Sequence, residues 1–161
     1  MDTALKKTKV NPATLVVERA YGMMELHHED KGEVLSAGQA VLDQIGVKVE
    51  DRIKPRLISN TIIRAIEPMH AMIIDKIRFG SMIEPGQSML VLETEPAAYV
   101  ALAANEAEKA ANIKLCDVTP FGAFGRLYLA GSEAEIDEAA KAAVSVLESI
   151  TGTAPASSRD K

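Results

Sequence analysis

Apolar positions along this chain fall into two rhythms, one of period two and one near 3.6. Thr14–Val17 is a short β-branched run that reads as a strand. Val34, Ala37, Val41, Leu42 and Ile45 then recur at spacings of three and four, which predicts an amphipathic helix over Glu33–Ile45 ended by Gly46. Arg56–Ile66 interleaves β-branched and polar residues and reads as a strand stopped by Pro68, while His70–Ile77 reads as a short helix or an irregular turn. Glu84-Pro85-Gly86 marks a tight turn, and the continuous apolar run Met89–Leu92 marks a strand buried on both faces.

The second half of the chain repeats the helical rhythm twice. Half of residues 97–112 are alanine, with Val100, Ala103, Ala104 and Ala107 on one face; Pro96 is expected to open this helix behind Thr94 or Glu95, and Asn112 to close it in a left-handed conformation. Ile113–Val118 and Arg126–Ala130 read as strands joined by the glycine-rich loop Pro120–Gly125. Ser132 and Glu135 form a capping box ahead of a stripe of Ile136, Ala139, Ala140, Ala143, Leu147 and Ile150. Residues 1–13 read as polar and unstructured, Glu25–Glu33 as a charged loop, and 151–161 as a disordered tail. The order from residue 56 predicts an α+β sandwich: an antiparallel or mixed sheet with helices on one face. This divides the chain into an extension, 1–55, a domain, 56–150, and the tail.

Composition narrows the function classes. With 47% hydrophobic and 25% charged residues in 161, the chain can fill one ordinary core. Aromatics are 4%, so Ala, Val, Ile, Leu and Met must do most of the packing. A net charge of −5 argues against a phosphate-binding surface. One cysteine makes neither an internal disulfide nor a cysteine-based zinc site, which reads as a reducing cytoplasm, and no apolar run reaches membrane-span length.

Enzyme signals are weak. His27-His28, near Glu25, Glu29 and Asp30, has the wrong spacing for a metal site because adjacent side chains diverge; a solvated loop is the simpler reading. Cys116 lies mid-strand among apolar residues, where a thiol is ordinarily buried and inert. GAFG lacks the ending of a phosphate loop and joins two strands. No catalytic residue, metal or cofactor is expected. Two of the three phenylalanines, Phe121 and Phe124, sit in that loop between glycines; read locally, they are core plugs on a turn.

Residues from about 56 to 150 resemble the bacterial microcompartment shell domain. The resemblance rests on MLVLETEPAAYVALAANEAEKAANIKL followed by PFGAFGRLYLAGSEAEIDEAAKAAVSVLES, and on the run Lys109-Ala110-Ala111-Asn112-Ile113 that ends the first alanine-rich helix. It is closest to the circularly permuted branch typified by the ethanolamine- and propanediol-utilisation hexamers, with Thr61–Ile77 as the relocated segment.

The resemblance implies a homohexamer that tiles, with other shell proteins of the same microcompartment, into a shell in the cytoplasm. It implies that Phe121, Gly122, Ala123, Phe124 and Gly125 line a central pore for small metabolites, and that Lys109, Asn112 and His70 lie at the hexamer edge. A solvated surface lysine is the plain alternative for Lys109, and Glu67-Pro68-Met69-His70 lacks the arginine of the family's edge motif. Residues 1–55 depart from the permuted pattern; capping the pore, buttressing the rim and binding encapsulated enzymes are all open. A further option makes 33–77 the remnant of a first domain from a tandem trimer, but two complete copies do not fit in 161 residues, which favours the hexamer. The rivals are a ferredoxin-like regulatory or ligand-binding domain, and a small enzyme using His27, His28 or His70.

Overall fold

Met89–Leu92 becomes the middle of a sheet because its side chains find apolar neighbours on both sides. In the computed structural model, which describes residues 1–18 and 21–154, this run lies within β4 (Ser88–Glu95). β4 pairs antiparallel with β3 (Arg56–Ile63) and with β6 (Gly125–Gly131), and β6 pairs with β5 (Lys114–Thr119), giving the order β3-β4-β6-β5. All three pairings are antiparallel.

Period-two alternation splits the sheet residues between two layers. Leu90, Leu92, Leu127 and Leu129 are fully buried with Val100, Ala103 and Ala107 of α4 (Tyr99–Ala110) and Ile136, Ala139 and Ala143 of α5 (Glu133–Ser149). The small alanine faces let these helices sit close to each other and to the sheet. Met89, Cys116 and Ala130 point the other way and cluster with Ala71 and Ile74 of α3 (Pro68–Ile77) and with Ile66 and Ile83. The two long helices thus share one face, as the sequence pattern predicts, and the short α3 covers part of the other.

The capping box of α5 forms as expected: Glu135 N–H donates to Ser132 Oγ, and Ser132 N–H donates to Glu135 Oε2 at 3.0 Å. α3 has Pro68 in its first turn, so the residue that stops β3 also starts the helix. α4 differs from expectation. It begins at Tyr99, not Pro96, because Thr94 stays buried in β4. Asn112 is not a left-handed terminator either. Ala111 ends the helix in an extended conformation, and the chain passes directly toward β5.

Met1–Lys54 with Thr151–Ala154 forms a separate unit. Residues 1–13, read as unstructured, contain α1 (Asp2–Lys7), ordered because Ala4 is fully buried against Val10 and Ala37. β1 (Asn11–Val17) pairs antiparallel with β2 (Gly22–His27), so the loop expected from Glu25 begins only after His27; Glu25 and His27 occupy the exposed positions of that strand. α2 (Lys31–Ile45) is capped by Asp30, whose carboxylate accepts from Gly32 N–H at 2.7 Å, and ends at Gly46 with φ 74°.

The order α1-β1-β2-α2 repeats the order α4-β5-β6-α5 of the other unit. Residues 33–77 are therefore not one remnant: α2 belongs to the first unit and β3–α3 to the second. Thr151–Ala154 is also tied down rather than tail-like, since Thr153 N–H donates to Arg52 O at 2.9 Å and Lys54 N–H donates to Thr153 O at 2.8 Å. The remainder of the expected tail, 155–161, lies outside the described residues.

Candidate pore loop and edge residues

The loop between β5 and β6 is short, apolar and constrained at both ends. Thr119 and Arg126 are the last paired residues of the two strands, leaving Pro120–Phe124 to make the turn, with Gly122 at φ 91°. Glycine suits that position because a side chain is rarely accommodated there. Gly125 is required for a different reason. A Cβ on it would collide with the Ala97 backbone, so the loop's exit is pressed against the chain just ahead of α4. Phe121 and Phe124 are each 40% exposed, so neither is a fully buried plug of its own subunit. The stretch carries no ionisable side chain, and the flanking Arg126 is held by Glu93 at 2.8 Å.

Lys109 stands in the last turn of α4, largely exposed, with Nζ 2.7 Å from Glu106 Oε1. That hydrogen bond, helped by Asn105, holds the Glu106 carboxyl below its ordinary range. α4 has 12 residues, and at about 1.5 Å per residue it is roughly 18 Å long. The glycine-rich loop touches Ala97, two residues before the helix, and Lys109 stands in its last turn. Asn112 lies just beyond the same end, exposed. His70 is exposed in the first turn of α3. Arg64 in the β3–α3 connection pairs with Glu133 and Asp137 of α5, each at 2.9 Å.

His28 Nδ1 accepts from Asp30 N–H at 3.0 Å, and among the described residues no group of three or more His, Cys, Asp or Glu is placed to hold a metal ion. Cys116 is fully buried, and desolvation, with lesser contributions from Asp75 and Asp117, pushes its thiol up to about 11. It is a packing residue.

The sequence reading missed two features of this unit. Arg78 donates to Asp117 and stacks on the Tyr128 ring, bringing together residues far apart along the chain. The outer side of α3 also carries apolar residues, which shows in the sequence only once the inner side is known to be occupied by Ala71 and Ile74.

Comparison with known proteins follows the same lines. The family described as the CsoS1D N-terminal domain matches residues 1–51. The carboxysome shell protein CcmP of Synechococcus elongatus is 48% identical over 152 residues, an overlap spanning 94% of this chain and 71% of that protein. Among solved structures, the fused permuted hexameric shell protein of the RMM microcompartment shares 44% identity at a TM-score of 0.86, covering 91% of this chain and 74% of that one. The double-ringed trimeric shell protein of the same microcompartment shares 42% identity at a TM-score of 0.92, covering 96% of this chain and 77% of that one.

Proposed function

Because this chain belongs to the bacterial microcompartment shell protein family, we propose that it is a ring-forming tile whose Phe121–Gly125 loop rims an axial pore and whose Lys109, Asn112 and His70 lie along the outer edge. It is a structural protein of a shell within the cytoplasm, not an enzyme. The observation that carries the pore and edge assignments is their separation: the loop abuts Ala97, two residues ahead of α4, and Lys109 sits at the far end of that helix. A helix laid radially would put one at the axis and the other at the rim.

Six copies of a loop bearing two half-exposed phenylalanines would make an apolar constriction. Ions and bulky polar solutes lose hydration there without replacement unless backbone groups face the opening. Small neutral metabolites lose least. The ring also contacts other shell proteins along its edge.

A three-subunit ring is the second reading. It is favoured by the trimeric relative and by the repeated helix-strand-strand-helix order, which gives three chains six such strand pairs. Light scattering distinguishes the two, since the particle has a mass of six or three times 17.3 kDa. Cryo-electron microscopy of that particle tests the site: density for Phe121 and Phe124 is expected at the symmetry axis. A loop buried between subunits away from the axis would overturn the pore assignment.

A further inference from the structure

α3 carries apolar residues on both sides, with His70 and Lys76 also exposed on the outer one. Its inner side, Ala71 and Ile74, is buried on the sheet, while Met69, Met72, Ile73 and Ile77 are 44–64% exposed on the outer side. The chain leaving α3 continues the surface, with Phe79 fully exposed and Met82 68% exposed.

This display is held in place. Gly80 N–H donates to Cys116 O at 3.0 Å and Ser81 N–H donates to Leu115 O at 2.8 Å, so the segment lies along the free side of β5. A Cβ on Gly80 would collide with those same carbonyls, and only glycine permits the approach. From the other side, Asp75 Oδ1 accepts from Ile83 N–H at 3.0 Å, pinning the loop to α3. Phe79 is thus fixed outward between two anchors. Beside it, α3 and Met82–Pro85 enclose a groove of about 570 Å³, large enough to receive a side chain from another molecule.

We infer that the outer face of α3 with Phe79 and Met82 is a contact surface between copies of this chain. The six side chains expose roughly 800 Å², the share that each partner contributes to an interface of standard size. A lone soluble protein seldom leaves so large an apolar patch open. Projecting knob and receiving groove lie on one surface, which suits a contact related by a two-fold axis between identical molecules. The occupant is a second copy because the family assembles from copies of itself. The inference therefore rests on the tile reading above and names the surface that reading leaves unspecified.

The test uses the full chain carrying Ile73→Asp with Phe79→Ser, and Phe79→Ser alone as the milder variant. Mass is measured by light scattering and sedimentation equilibrium across a dilution series, and circular dichroism checks the fold. The expected result is a native spectrum with the half-dissociation concentration raised at least about 30-fold in the double variant, and partly in the single one. Folded variants with the wild-type mass at every concentration would overturn the surface assignment while leaving the tile reading intact. So would loss of stability at unchanged mass, which would mean that the patch is covered within one chain. Wild-type protein that is monomeric throughout would overturn both.

Discussion

Arg78 donates to the Asp117 carboxylate at 2.7 Å, and its guanidinium lies 3.9 Å above the Tyr128 ring. The pair ties the residue that ends α3 to β5, and the ring beneath belongs to β6. Both side chains are about four-fifths buried, at 21% and 19% exposure, so neither charge is well hydrated.

Removing one partner should therefore cost more than a surface ion pair is worth. Asp117→Ala leaves the Arg78 charge half-desolvated and should lower stability by about 2–3 kcal/mol, read from urea unfolding. Arg78→Met, which keeps the packing on Tyr128, should cost less than Arg78→Ala. Equal losses would mean that ring contact contributes nothing.

Gly122 and Gly125 stand three residues apart in the same turn and should respond differently to alanine. Gly122→Ala meets open space and only the left-handed backbone penalty, so a loss of about 1 kcal/mol is expected. Gly125→Ala drives a methyl into the Ala97 backbone and should unseat the loop, with a loss several times larger by thermal unfolding.

Lys109→Ala should leave ring mass unchanged and prevent extended arrays. Its contact with Glu106 is a solvent-exposed pair within one helix, so folding does not depend on it. Electron microscopy of concentrated protein checks the outcome, and normal sheets or tubes would remove Lys109 from the edge.

Cys116 links burial to alkaline stability. Its folded-state pKa is raised from 9.0 to about 11, so the folded state holds the thiol proton more tightly than the unfolded chain does. That contribution is fully present below pH 9 and is lost as pH rises toward about 11. Cys116→Ala should flatten the fall in stability over that interval. Iodoacetamide should label the native protein far more slowly than the urea-unfolded chain, measured by mass spectrometry.

Where local chemistry was self-sufficient, the elements could be read without a structure. The Ser132–Glu135 box needs only residues three apart, and Gly46 needs only its own freedom at positive φ, so both ends were legible. Pro96 misled because its strong preference for a helix start competes with Thr94, whose burial in β4 is a long-range fact. Glu25 and His27 misled in the opposite way. Polar residues in sequence look like loop, yet an edge-exposed strand position accepts them at no cost. The loop glycines were visible as a group, but nothing in PFGAFG distinguishes the one that permits a turn from the one that permits contact with Ala97.

Periodicity, caps and the alanine-rich helices determined by themselves that this protein is an α+β sandwich, because those features arise between neighbours in the chain. Only the tertiary structure decided which side of each apolar segment is used and which is left over. Ala71 and Ile74 face the sheet; Ile73, Ile77 and Phe79 do not. Hydrophobicity states that a residue gains by leaving water, but it carries no address for where the residue goes.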